Sequence, residues 1–271
     1  MLRLLLTTFV LKKELMVQTE YNVKEYWSEV AKRIKIREEK DNVIAGDDEP
    51  FYRYKRRRFL DLLLKEDYYD KYVLEIGCGP GGNLSSLYSM RPKKLVGADI
   101  SQNMIDLAKD KLPSDIEITK TDGTSLPFDD NAFNIVFSAT VLQHNTDDKM
   151  LEELVKEMCR VCNQNLYIYE SISPVLTGDV LCKWRPQSYY IQLMESLGFK
   201  WVSTNFINIT VSYYMAGVIR KLLNPRDRKE GEPLNKISII LQNLLIPITS
   251  ILDKIIKSEK DLAQLKFTKI K

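Results

Sequence analysis

Short apolar runs alternate with stretches of helical periodicity through the middle of the chain. The apolar runs predict strands at residues 72–76, 94–99, 116–120, 133–139 and 165–170. The stretches between them predict helices at 83–90, 103–111 and 148–161. This alternation is typical of βαβ units, which build a mostly parallel sheet covered by helices on both faces.

Two amphipathic segments precede this region. Residues 25–34 and 54–65 have apolar positions at helical spacing, and the polar stretch G-D-D-E-P at 46–50 separates them. They predict an N-terminal helical cap over about residues 20–64. We interpret the K-R-R-R run at 55–58 as the solvated face of the second helix. Contact with an anionic substrate or a membrane is the alternative.

The fifth strand is followed by a further helix and strand at 184–202, with Gly198 between them. The best candidate for the last strand, at 262–270, comes only after a long intervening segment. We therefore predict a three-layer, Rossmann-like α/β fold. The long segment before the last strand is a candidate helical insertion. The predicted divisions are an N-terminal extension and cap (1–64), a core (65–210), the insertion (211–260) and the last strand (261–271).

The insertion contains an apolar stripe at helical spacing between residues 235 and 257. Its members are Ile237, Ile240, Leu241, Leu244, Leu245, Ile248, Ile251, Leu252, Ile255 and Ile256. Pro247 is expected to kink or split this helix. Gln242, Asn243 and Asp253 argue against a helix that spans a bilayer.

Three interpretations of this stripe remain open. It could dock a helical pair on the core, or form a dimer interface. It could also cover a hydrophobic acceptor, with peripheral membrane contact through residues 235–257.

Composition narrows the class of protein. The chain has 271 residues, 44% of them hydrophobic and 28% charged, which is ordinary for a globular domain. The net charge of +3 gives no reason to expect a nucleic-acid partner. Four cysteines at irregular spacing predict reduced thiols and a cytoplasmic location. Cys159 and Cys162 form a C-x-x-C that we assign to core packing, and no metal site is predicted.

The N-terminal residues 1–15 hold a short apolar run, which is too short to cross a bilayer. They could be an upstream-start artefact, because Met16 opens a more ordinary beginning. The other interpretation is an anchor that touches a membrane, so the location could be peripheral at the membrane.

Candidate chemistry begins at V-L-E-I-G-C-G-P-G-G-N, residues 73–83, which satisfies G-x-G-x-x-G. The pattern alone is a weak signal, shared by several nucleotide-binding folds. Here it follows a predicted strand and precedes a helix, and Asp99 ends the next strand. That setting suits a ligand whose ribose is held by a carboxylate.

Two acidic residues help to discriminate between the candidate ligands. Glu75, beside the loop, would repel a pyrophosphate but suits a ligand that carries an ammonium and a sulfonium. Asp122, after the third strand, can accept a hydrogen bond from an exocyclic adenine amine. A nicotinamide dinucleotide remains an alternative on the glycines and Asp99 alone.

Four segments together resemble a class I S-adenosylmethionine-dependent methyltransferase, of the small-molecule branch that includes the quinone-biosynthesis enzymes. They are V-L-E-I-G-C-G-P-G-G, L-V-G-A-D-I-S, T-D-G-T-S-L-P-F and the run ending V-L-Q-H. The resemblance covers roughly residues 65–205. It implies a sheet of seven strands, mostly parallel, with an antiparallel last strand that follows the helical insertion. It also implies S-adenosylmethionine as cofactor and a small or lipid-like acceptor, methylated on oxygen, nitrogen or carbon.

The resemblance also implies a cofactor site at the ends of the first four strands. Its residues are Glu75, Gly77, Cys78, Gly79, Gly81, Asp99, Ile100, Met104, Asp122, Gly123 and Ser138. The glycine loop and Glu75 would surround the methionine moiety, and Ser138 would lie on its carboxylate side. Asp99 would bind the ribose hydroxyls, and Asp122 with Gly123 would hold the adenine amine.

A general base is needed only if the acceptor is protonated at the start. The catalytic candidates are His144, the single histidine, and Glu170, at the end of the fifth strand. In the family the His144 position often caps a helix. Two other classes of function remain open: a nicotinamide-dependent oxidoreductase, and a non-catalytic partner subunit that retains the methyltransferase fold.

Overall fold

The computed structural model describes residues 22–36, 49–228, 232–257 and 261–270. A seven-stranded sheet forms its centre. The strands are β1 (Tyr72–Ile76), β2 (Lys94–Asp99), β3 (Glu117–Lys120), β4 (Phe133–Ala139), β5 (Cys162–Ile172), β8 (Phe199–Phe206) and β9 (Asp261–Lys269). Their order is β3-β2-β1-β4-β5-β9-β8, and β9 runs antiparallel to both of its neighbours. Strands β6 (Thr177–Gly178) and β7 (Lys183–Trp184) form a small separate hairpin.

Helices cover both faces of this sheet. They are α1 (Val23–Ile36), α2 (Pro50–Leu63), α3 (Gly82–Tyr88), α4 (Gln102–Lys111), α5 (Asp148–Val161), α6 (Gln187–Ser196), α7 (Thr210–Leu223) and α8 (Lys236–Ile255). Leu151, Val155 and Met158 of α5 belong to the core on one face, while Phe59 and Leu63 of α2 belong to the core on the other. The predicted fold class, with its helical cap, its insertion and its antiparallel last strand, is confirmed.

The N-terminal helix packs against α4. Val30 and Ile34 of α1 are buried against Met104 and Leu107 of α4. The second cap helix begins at Pro50, inside the polar stretch that we expected to be a break. Proline is favoured in the first turn of a helix because the amide N–H that it lacks would have no helical partner there.

The insertion supplies helices α7 and α8, and α8 is one helix through Pro247. The expectation that Pro247 splits it is therefore wrong. Proline at this position removes one helical hydrogen bond, the one to the carbonyl of Asn243. Asn243 is exposed, so water can solvate that carbonyl.

Helix α8 docks through its polar side. Its buried residues are Ser238, Gln242, Thr249 and Asp253. The Asp253 carboxylate accepts hydrogen bonds from the Tyr54 hydroxyl (3.0 Å) and from the backbone N–H of Val211 (2.8 Å), in the first turn of α7. The interpretation that the apolar stripe docks α8 on the core is wrong, because nearly all of that stripe faces outward.

Two further expectations concern the C-x-x-C motif and the N-terminal residues. Cys159 and Cys162 are buried, in the core. The interpretations of residues 1–15 lie outside the described residues.

Candidate active site

A cavity of about 980 Å³ opens at the carboxyl ends of the parallel strands. Helices α1 and α2 close one side of it, and α7 contributes to another. The predicted site residues that line it are Glu75, Gly77, Cys78, Gly79, Asp99, Ile100, Met104, Gly123 and His144. Ligand cavities commonly measure about 300–1,000 Å³, so this one has room for a nucleoside cofactor with an acceptor beside it.

The loop between β1 and α3 is held against β2. The backbone N–H groups of Gly77 and Cys78 both donate to the carbonyl of Ala98, at 2.7 and 3.1 Å. Gly79 has a φ of +52°, and a Cβ placed on it would meet nothing within 4 Å. A side chain there would strain the backbone and would fill open space. The loop therefore leaves its main chain accessible to a ligand.

Asp99 fastens this loop from the end of β2. Its carboxylate accepts hydrogen bonds from the Gly79 N–H and from the Ser101 N–H, both at 2.8 Å. Burial raises the pKa of Asp99, and these backbone N–H groups oppose the rise. The carboxylate is thus oriented and lines the cavity, where a carboxylate can accept hydrogen bonds from a ribose diol.

Glu75 is fully buried at the base of the same loop. The side-chain amide of Asn83 donates to its Oε1 at 2.7 Å, while Oε2 has no hydrogen-bond partner among the described residues. Burial raises the pKa of Glu75 to about 8. A buried acceptor with one oxygen unsatisfied is complementary to a cationic donor such as an ammonium.

Three predicted cofactor residues lie outside the cavity lining. Asp122 is exposed, and its Oδ1 accepts from the N–H groups of Thr124 and Ser125 in its own turn. Those bonds lower the pKa of Asp122 to about 2. Gly81 caps α3 with a φ of +85°, and Ser138 is buried within β4. Roles for these three in ligand binding stay predictions.

His144 lines the cavity, and hydrogen bonds at both ring nitrogens orient its ring. Its Nδ1 lies 3.1 Å from the carbonyl oxygen of Leu181, which can only accept, so we assign the proton to Nδ1. Nε2 then accepts from the side-chain amide of Gln143 at 3.2 Å. The edge of the ring packs against Trp27, with centroids 5.0 Å apart. The basic nitrogen of His144 is therefore Nε2, paired with Gln143.

Glu170, the second catalytic candidate, is surrounded by backbone N–H groups. It is fully buried at the end of β5, and its oxygens accept from the backbone N–H groups of Val141 (2.9 Å), Leu142 (2.8 Å) and Gln143 (3.1 Å). Burial raises its pKa to about 7. This geometry disfavours the proposed catalytic role and gives Glu170 a positioning role, because its carboxylate holds the turn that carries His144.

Several lining residues were missed or misread in the sequence. Lys55 and Arg56, which we predicted to be solvated, line the cavity, and Arg56 donates to the carbonyl of Gly82 at 3.0 Å. Glu49 is buried and forms an ion pair with Arg228 at 2.7 Å and a longer one with Arg220 at 3.5 Å. The helical periodicity of residues 54–65 placed Lys55 and Arg56 on the solvent side of the helix, so their position in the cavity was missed. No sequence pattern indicates that Glu49 pairs with Arg220 and Arg228.

Comparison with known proteins shows which domain the region around this site resembles. Residues 73–165 match the model of a methyltransferase domain. Phthiotriol/phenolphthiotriol dimycocerosates methyltransferase of Mycobacterium tuberculosis is 38% identical over 71 residues, which are 25% of this chain and 26% of that protein. The match thus spans about a quarter of the length of this relative.

Solved structures share the fold over most of the chain. Magnesium protoporphyrin IX methyltransferase from Synechocystis PCC 6803, with S-adenosylhomocysteine (SAH) bound, has a TM-score of 0.57 at 11% identity and covers 91% of this chain and 98% of its own. The [4+2]-cyclase SpnF has a TM-score of 0.59 at 16% identity, with coverage of 81% and 83%. Residues 73–165 are therefore similar to a methyltransferase domain, and most of the chain shares the fold of these solved structures.

Proposed function

We propose that this protein transfers a methyl group from S-adenosylmethionine to an amphiphilic acceptor that carries an anionic group. The observation that supports the cofactor most directly is Glu75, a buried carboxylate with one unsatisfied oxygen at the glycine loop. The observation that supports the acceptor class is the cationic, aromatic end of the same cavity.

The residues around the loop fit the cofactor group by group. Glu75 would hold the α-ammonium, and Arg56, close enough to lower the pKa of Glu75, would hold the α-carboxylate. Asp99 would bind the ribose, with Ile100 and Met104 flanking the adenine. A dinucleotide would offer Glu75 a pyrophosphate in place of an ammonium, so the unsatisfied oxygen of Glu75 would gain no cationic partner, which disfavours a nicotinamide dinucleotide.

The cofactor supplies an activated methyl group, so the chain is left with alignment, exclusion of water and removal of a proton. Alignment of two reactants can contribute roughly 7–11 kcal/mol in favourable cases. Trp27 of the cap packs on His144 and lines the cavity, where it excludes water. If the acceptor is a hydroxyl, Nε2 of His144 is the group placed to take its proton, in exchange for its bond to Gln143.

The acceptor end of the cavity is lined by Lys55, Arg220 and Arg228 against a single acid, Glu49. Arg220 also lies over the rings of Phe51 and Tyr52, at 5.1 and 5.2 Å. An acceptor with an anionic group and an apolar part satisfies both features. The resemblance to the quinone-biosynthesis branch remains a prediction within this class.

Methyl transfer can be tested with the full chain, methyl-labelled S-adenosylmethionine and an organic extract of the source cells, split by anion exchange into neutral and anionic fractions. We expect label in the anionic amphiphiles. Arg220→Ala should raise KM for this fraction about tenfold, consistent with loss of one charge-assisted contact, while SAH affinity is unchanged. Arg226→Ala, an exposed arginine outside the lining, is the matched control. Label in neutral compounds alone, or no transfer to any fraction, would contradict the proposal.

A further inference from the structure

The outer surface of the insertion is apolar, although water-facing helix surfaces are normally polar. Ile240, Leu244, Ile248 and Ile251 of α8 have between 57% and 66% of their surface exposed, and Met215 and Val218 are exposed on α7, the helix that packs against α8. We call these six residues the apolar patch. Contiguous exposed surfaces of this kind mark sites of interaction with a partner or a membrane.

The polar side of α8 fixes this orientation. Beyond the bonds of Asp253 to Tyr54 and Val211, the Ser212 hydroxyl lies 2.7 Å from that of Thr249, and Asn224 donates to Ser238 at 3.1 Å. Rotating α8 to bury the apolar patch would break these bonds and expose the partners. The apolar patch is therefore part of the folded structure.

The exposed charges on helices α7 and α8 have one sign. Helices α7 and α8 contain Arg220, Lys221, Lys236, Asp253 and Lys254 as their charged residues. Asp253 is buried, so every exposed charge on the two helices is positive, and Lys236 and Lys254 lie at opposite ends of α8. Basic residues around an apolar helix face are complementary to the headgroups of anionic lipids.

The patch continues into the acceptor cavity. Tyr213 and Tyr214 on α7 are exposed and also line the cavity. Tyrosine is enriched at the boundary between lipid and water, because its ring is apolar and its hydroxyl polar. A second copy of the chain seated on the patch would cover this edge of the cavity, whereas a bilayer would present amphiphiles to it.

We propose that α7 and α8 dock the protein on an anionic bilayer, with α8 lying in the plane of the headgroups. By length and composition α8 is the one helix in the described part of the chain that could cross a bilayer. Its buried side, however, is bonded to α7 and α2 through Asp253, and a crossing would carry those groups into hydrocarbon. Delivery of the acceptor from the bilayer rests on the proposed function, but docking itself does not.

The test uses vesicles of phosphatidylcholine alone and with about one-third phosphatidylglycerol, together with the full chain. We expect the protein to float with the anionic vesicles and to bind the neutral ones more weakly. Ile248→Asp should lower the partition coefficient at least tenfold without changing the melting temperature. Ile270→Asp is the matched control and should bind like the wild type, because Ile270 is equally exposed but follows β9 at the amino ends of the parallel strands, away from the cavity.

Three results would overturn docking: no flotation of the wild-type chain, equal loss in Ile270→Asp, or a dimer in light scattering that Ile248→Asp converts to a monomer. The last would assign the patch to a second copy. SAH binding by the same Ile248→Asp protein, measured by calorimetry, separates this proposal from the cofactor assignment. Loss of vesicle binding with SAH affinity intact supports docking, whereas absence of SAH binding in the wild-type chain contradicts the proposed function instead.

Discussion

Two buried carboxyl groups define the chemistry of the site at the scale of single residues. Asp99 is oriented by two backbone N–H groups, so it is ready to accept further hydrogen bonds without rearranging. Glu75 has one amide partner and one unsatisfied oxygen, and burial shifts its pKa from 4.5 to about 8. The folded chain therefore binds this proton more tightly than the unfolded chain. The resulting stabilisation is complete below about pH 4.5 and is lost as the pH rises through about 8.

Replacing Asp99 tests its part in cofactor binding. Asp99→Asn keeps the shape and one acceptor oxygen but removes the charge, and a hydrogen bond to a charged group contributes about 1.5–3 kcal/mol. We expect SAH to bind at least tenfold more weakly in calorimetry. Asp115→Asn is the control, because the Asp115 carboxylate accepts from the Tyr88 hydroxyl outside the cavity lining, and this variant should bind SAH like the wild type. Equal affinity in the Asp99 variant would remove Asp99 from the cofactor site.

The element that governs the outer surface is α8. Its apolar positions have helical period, but so do Ser238, Gln242, Thr249 and Asp253. Asp253 joins α8 to the first turn of α7, where the exposed N–H groups and the helix dipole favour a negative charge. The Asp253 side chain thus caps the N-terminus of α7 and holds α8 against α7 and α2.

Removing that carboxylate should loosen the insertion. For Asp253→Ala we expect the free energy of unfolding to fall by about 2–4 kcal/mol, because the variant loses a helix cap and leaves the Tyr54 hydroxyl without its acceptor. Urea denaturation followed by circular dichroism measures this. Asp227→Ala, an exposed acid in the loop after α7, should change stability by less than about 0.5 kcal/mol. A similarly small change for Asp253→Ala would show that α8 is held by other contacts.

The contrast between α5 and α8 shows how far sequence patterns reach. Residues 148–161 were predicted as a helix with the observed bounds, and its apolar side is indeed buried against the sheet. For α8 the same reasoning predicted the helix but the wrong buried side. Helical periodicity shows that a helix has one apolar and one polar face. Assigning the apolar face to the protein interior assumes in addition that the other face meets water. A surface that meets something other than water breaks that assumption.

At the scale of the whole molecule, the cavity is assembled from distant parts of the chain. The strand ends supply Glu75, Asp99 and the glycine loop, and these were predicted because a strand, a tight turn and an acid follow one another locally. The cap supplies Trp27 and Arg56, and α7 supplies Arg220. Their positions depend on tertiary packing, and the ion pairs of Glu49 with Arg220 and Arg228 join residues too distant in sequence for any local pattern to reveal.

The most direct test of this account is calorimetry of SAH binding to the full chain at pH 6, 7 and 8, in buffers of different ionisation enthalpy. Glu75 holds a proton in the free protein because its pKa is about 8, and an ammonium bound beside it lowers that pKa. We therefore predict that SAH binds with release of a proton at pH 7, that its affinity rises as the pH approaches 8, and that Glu75→Gln abolishes the release. NAD should show no binding. Binding of NAD without SAH, or SAH binding with no proton released, would contradict the assignment of Glu75 and its loop to the methionine end of S-adenosylmethionine.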